Sequence, residues 1–216
     1  MQKLLDRVSN LPGLLQKLDI LTAQVHTSSP DDFQHLFDDM HHQISSLLQF
    51  APEVNKHFGS DHLWWPVAAS SWSSSENRET MEDAAFPIAY HFPNILTANL
   101  MCHYWVSLIV AYISSETLTN MAEQHGIQLQ GPAEQICEVS RRKVEDLADD
   151  ICKSMAYHVQ PEMKLYGPAA TLFPVKIASQ VIKRGIVTKD IVWCRQFVEQ
   201  WEDIGIGLAR YVPGVE

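Results

Sequence analysis

Residues 29–48 read SPDDFQHLFDDMHHQISSLL. Ser29 is suited to an N-cap and Pro30 to the first helical position. Asp31 and Asp32 then lie where the helix dipole favours acids. Phe33, Leu36, Phe37, Met40, Ile44, Leu47 and Leu48 recur at spacings of three and four, so they form one apolar face over four turns. The stretch predicts an amphipathic helix with a defined start, and the same period recurs along most of the chain.

Upstream, Leu14, Leu18, Leu21 and Val25 repeat at helical spacing behind Pro12. Downstream, the pattern breaks over 51–92, a segment with Pro52, Gly59, Pro66 and Pro87 and the Ser-rich run SSWSSSENRETMED at 70–83. Its composition predicts long loops, mobile at 70–83. Helical pattern resumes after Pro93 and is expected to end near Ser115, with irregular chain up to Gly131-Pro132. Pro132 opens a helix striped by Ile136, Val139, Val144, Leu147, Ile151 and Met155. Its polar face is expected to carry i,i+4 ion pairs such as Arg141–Glu145 and Arg142–Asp146. A helix containing Pro174 follows and stops at Gly185. A last one begins at Thr188 and carries Ile191, Val192, Phe197, Val198, Trp201 and Ile204. No segment shows strand alternation beside a hairpin turn. The expected fold is all-α: one irregular helical domain over 1–216, with about six or seven helices around a buried central helix.

That central helix needs a membrane test. Residues 84–115 carry no formal charge, and 95–113 read ILTANLMCHYWVSLIVAYI. Nineteen such residues would nearly span a bilayer. Asn99 and His103 fall at the centre, however, and no Lys or Arg flanks either end. The sequence therefore favours an all-round apolar helix buried inside a helical protein.

Composition excludes several function classes. The chain has 216 residues with 16 Lys and Arg against 26 Asp and Glu, a net charge of −10. Such an acidic chain does not by itself grip a phosphate backbone. With 46% hydrophobic residues it can bury a core, so it is not disordered as a whole. Cys102, Cys137, Cys152 and Cys194 form no C-x-x-C pair and lie in apolar stretches. They read as reduced, buried thiols of an intracellular protein.

Chemistry-bearing clusters are few. His35, Asp38, Asp39, His41 and His42 could set imidazoles and a carboxylate on one helix face, which zinc or iron accepts as ligands. A second element with further ligands is not indicated, so the His35/Asp39/His42 face reads as a solvated surface. A metal-dependent enzyme using it is the third-ranked function. Glu145, Asp146, Asp149 and Asp150 follow three basic residues and read as an ion-paired surface. No phosphate loop or nucleophile elbow occurs, and Cys102 and His103, as neighbours, point to different helix faces. No catalytic residue, cofactor or metal is therefore assigned. Asn99, His103 and Trp105, with Trp64 and Trp65, are the candidate lining of a ligand or partner pocket. A packed core with hydrogen-bonded Asn99 and His103 is the competing reading.

Four segments occur in a telling order: YHFPNILTANLMCHYWVSLIVAY, DDICKSMAYHV, YGPAATLFPVKIASQVIKRG, and WCRQFVEQW followed by GIGLARYV. Together they resemble the C-terminal region of fungal-specific transcription factors of the zinc binuclear-cluster type. The matching residues are Phe92, Asn94, Ala98 and Trp105; Ile151, Cys152 and Ser154; Gly167, Pro168, Leu172, Phe173 and Pro174; and Trp193 with Cys194. The resemblance covers about 86–212. It implies an all-α regulatory domain in the nucleus, often serving a metabolic pathway such as secondary metabolism. Its partners would be proteins of the transcription machinery or a DNA-binding regulator, and homodimers are compatible with it. The family's six-cysteine cluster and basic linker are absent, so its zinc ligands map to no residue here. The chain reads as a C-terminal fragment or a shortened relative without its own DNA-binding module. The alternative is a stand-alone helical ligand-binding or adaptor protein.

Overall fold

The computed structural model describes residues 1–58, 63–68, 88–130 and 133–185. Among them are seven α-helices and one two-stranded ribbon. The helices are α1 (Gln2–Val8), α2 (Leu11–Ala23), α3 (Pro30–Leu48), α4 (Phe50–Phe58), α5 (Ile95–Gln124), α6 (Ala133–His158) and α7 (Tyr166–Gly185). The strands are β1 (Trp65–Ala68) and β2 (Ile88–His91), and a single 3-10 turn, Pro161–Met163, precedes α7. The molecule is all-α in class, with α5 as its buried central helix.

The described chain groups into two compact units, one of residues 1–59 and 107–144 and the other of 60–106 and 145–216. In the first, α3 packs against α1, α2 and α4. Ser29 caps α3 with a full capping box, its hydroxyl accepting from the Asp32 N–H while the Asp32 carboxylate accepts from the Ser29 N–H. Such a cap contributes about 1 kcal/mol. Phe33, Leu36, Phe37 and Met40 from this helix join Leu14, Leu18 and Leu21 of α2 and Leu118, Met121 and Ala122 of α5 in one apolar cluster. Leu48 departs from the expected stripe and is 41% exposed, because the face turns away by the last turn. Arg7 holds α1 down. Its guanidinium donates to the Ser46 carbonyl and pairs with Glu53 at 2.7 Å, and its own carbonyl accepts from Gln43 Nε2 at 2.7 Å.

Three local expectations are corrected. Helix α4 occupies the start of the segment read as loop. Pro52 falls in its first turn, where the missing N–H has no helical partner to lose. Helix α5 runs nine residues past Ser115, to Gln124. Its Ser/Thr-rich end continues the helix, with the hydroxyls satisfied one turn back, Thr117 by the Ile113 carbonyl at 2.9 Å and Thr119 by the Ser115 carbonyl at 3.0 Å. On α6, Arg141 reaches across to Glu116 of α5 at 3.4 Å in place of Glu145, since Glu116 is the more shielded carboxylate.

The second unit holds the ribbon. Trp65 pairs with His91 and Ala68 with Ile88 in an antiparallel register. Four-residue strands, one containing Pro66, give no readable alternation, and their partners lie twenty or more positions apart. Pro174 sits inside α7, whose Thr171, Val175, Ala178 and Val181 are buried. Helix α5 is long and apolar enough to cross a membrane, but 61% of its most apolar window is buried inside the protein, as in a core helix. The Ser70–Asp83 stretch, the side chains of Ile136 and Val139, and the expected last helix lie outside the described residues.

Candidate functional site

The candidate residues converge on an aromatic cluster in the second unit. In this part of α5 a single stripe through Leu96, Asn99 and His103 keeps some exposure, and Trp105 lies off that stripe, turned inward and 2% exposed. Its indole meets Trp64 edge-on, with ring centroids 5.5 Å apart and planes at 89°. Tyr90 of β2 lies 6.1 Å from both indoles, and Phe92 lies 6.5 Å from Trp105. Phe92 continues the chain of rings to Tyr157 of α6 at 5.3 Å. Such offset and edge-on contacts suit the ring quadrupoles and fix orientation as well as burying area.

Polar groups are threaded through this cluster. Tyr90 Oη donates to Asp150 Oδ1 at 2.6 Å, with the Trp64 ring packed beside the phenol. Burial, then the Asp150 partner, holds the Tyr90 phenol well above its usual range. Burial also raises the Asp150 carboxyl, against the opposing effect of the Tyr90 bond. On the neighbouring turn, Ser154 Oγ donates to the Ile151 carbonyl at 2.6 Å, so it accepts from the Cys102 thiol at 3.1 Å. Burial pushes that thiol up to about 12, which keeps it protonated and unreactive at neutral pH. His158 is fully buried and donates from Nδ1 to the Ser154 carbonyl at 3.0 Å. Burial lowers it to about 4, so the ring is neutral and Nε2 carries a lone pair.

Two acceptors in this unit, Asn99 Oδ1 and His158 Nε2, are buried with no hydrogen-bond partner among the described residues. His103 donates from Nδ1 to the Asn99 carbonyl at 2.9 Å, the ordinary i,i+4 bond of a helical histidine. Gly167 closes the far side. A Cβ there would stand 2.0 Å from the His158 carbonyl oxygen, so only glycine lets α7 start so near the end of α6.

The five residues singled out in the sequence are thus only partly gathered. Trp64 and Trp105 touch, and Asn99 and His103 form a pair one turn apart. Trp65 is 42% exposed, with its ring 4.7 Å from His91, and reaches the cluster only indirectly, through the His91 contact with Tyr157 at 5.3 Å. Tyr90, Tyr157 and His158 went unnoticed in the sequence, Ser154 entered only through the family resemblance, and Asp150, expected on an ion-paired surface, instead accepts from Tyr90. The period-two pair Tyr90 and Phe92 ahead of Pro93 was the available signal.

The His35/Asp39/His42 face belongs to the first unit. Lys17 bonds Asp39 at 2.9 Å, and with His35 they border a shallow groove of about 350 Å³ between α2 and α3. His42 faces a different hollow, of about 610 Å³, with Lys3, Arg7 and Glu53. Seven residues of helix rise by about 10 Å, too far for both imidazoles to reach one ion. Among the described residues, no group of three or more His, Cys, Asp or Glu is placed to hold a metal ion. Comparisons with protein-family models, with curated proteins and with solved structures gave no match.

Proposed function

We propose that this chain is a regulatory and protein-interaction domain of a nuclear transcription regulator, acting through partner or metabolite contacts, with DNA binding supplied by another module. One observation carries the reading. The segments that bear the resemblance pack around a single aromatic cluster, although up to about seventy residues separate them. Phe92 meets Trp105, Ser154 bonds Cys102, and Gly167 lies against His158. Residues that recur as a set in a family are expected to share one packing unit. Asn94 and Phe173 are the exceptions, both exposed, and Trp193 and Cys194 lie outside the described residues. The net charge of −10 is consistent with delegating DNA contact. The test is to fuse the chain to an unrelated DNA-binding domain above a reporter gene. The reading expects reporter output to change several-fold from that of the DNA-binding domain alone, and Trp105→Ala to abolish the change. Unchanged output would overturn it.

A second reading, a stand-alone ligand-binding protein, is favoured by the two unpartnered acceptors, Asn99 Oδ1 and His158 Nε2. A small ligand or water with hydrogen-bond donors would satisfy them.

A further inference from the structure

We propose that His26 and His125 form a surface site for a late first-row divalent ion such as zinc, stapling two connections of the first unit. The two residues lie 99 positions apart in sequence. His26 follows α2 and His125 follows α5, and their ring centroids are 5.6 Å apart with planes at 62°. A zinc–nitrogen bond of about 2.1 Å puts each ring centroid about 3.2 Å from the metal, so two imidazoles on one tetrahedral ion stand about 5 to 5.5 Å apart. The observed centroid separation is close to that range, and rotation of the two exposed side chains would aim both ring nitrogens at one ion.

The tautomer suits the same role. His125 Nδ1 lies 2.9 Å from the Met121 carbonyl and must be the donor, which leaves the Nε2 lone pair for a ligand. This is the same i,i+4 bond that His103 makes, and at an exposed ring it serves to fix the orientation of that lone pair. Both connections are also anchored. Val25, beside His26, and Ile127, two residues past His125, pack on the apolar cluster. Gln34 clamps the second connection, its Oε1 accepting from the Gln130 N–H at 2.7 Å and its Nε2 donating to the Gln130 carbonyl at 3.3 Å. Gly126 makes the intervening turn with φ +68°, a conformation that favours glycine. The imidazoles are therefore presented on fixed backbone while remaining exposed to solvent. Two protein ligands leave the other positions to water, so the site is an open one of moderate affinity and not a closed four-ligand structural centre.

The test is calorimetric titration of the untagged chain with zinc chloride, beside His26→Ala, His125→Ala and the control His35→Ala. The parent and the control are expected to bind zinc with one affinity, and each of the first two variants should bind about tenfold or more weakly. Zinc should also raise the melting temperature of the parent but of neither variant. Failure of the parent to bind zinc, or binding kept by both variants, would overturn the site. Both substituted positions are exposed, so folding of the variants is not at stake.

Discussion

Tyr90 donates its phenol proton to Asp150 at 2.6 Å, across sixty residues of sequence, and fastens the β-ribbon to α6. The bond explains why a carboxylate whose protonation burial favours is tolerated beside the aromatic cluster. Tyr90→Phe leaves Asp150 without this donor and should cost about 1–3 kcal/mol. Urea unfolding at pH 7 measures it. Since burial and Asp150 raise the phenol above its usual value of 10.0, the parent should also lose stability as pH climbs past that value, where the unfolded chain ionises first. Tyr90→Phe should remove part of that alkaline loss, and an unchanged alkaline limb would contradict the assignment.

His158 predicts an acid limb. Its folded value is about 4 against an ordinary 6.5, so between those values the unfolded chain binds the extra proton. Stability is then fully present above pH 6.5 and declines as pH falls toward 4, by on the order of 3 kcal/mol for this fully buried ring. Denaturation midpoints from pH 7 to 5 should fall for the parent and fall less for His158→Gln, a residue that cannot take up the proton. Parallel curves for the two proteins would show that the loss comes from other groups.

Trp105 touches Trp64, Tyr90 and Phe92 and is 2% exposed. Trp105→Ala should open a cavity and cost about 3–5 kcal/mol. Thermal melting beside the parent chain is the readout. A melting temperature within a degree or two of the parent would remove Trp105 from the core and promote a ligand-lined cavity.

Gly167→Ala should destabilise although the change adds a single carbon. The new Cβ would fall 2.0 Å from backbone at His158 and 2.8 Å from Met163 Cβ, so the start of α7 must shift. The expected loss is about 1–3 kcal/mol. Ala169→Gly, two residues on and exposed, serves as the comparison and should cost about 1 kcal/mol or less. Equal small losses in the two variants would mean that the contact with His158 relaxes freely.

The sequence by itself determined the helical class and the start of α3. A 3.6-residue stripe and a Ser29-Pro30-Asp31-Asp32 cap depend on side chains within a turn or two of one another, so they are readable without the rest of the chain. It also marked α5 as a core helix, because its uncharged stretch places apolar residues on most sides of the helix. Only the tertiary structure decided what that burial is for. The strand pairing of Trp65 with His91, the Cys102–Ser154 bond and the Tyr90–Asp150 bond each join residues tens of positions apart. So does the approach of His26 to His125. No periodicity records such meetings, since they depend on how packed helices place their faces and not on the local spacing of residues. The ends of α4 and α5 were hidden for the opposite reason. Pro52 and the Ser/Thr run look like breakers by residue type. Pro52 is tolerated in a first turn, where its missing N–H has no helical partner, and the Thr117 and Thr119 hydroxyls find acceptors within the helix itself.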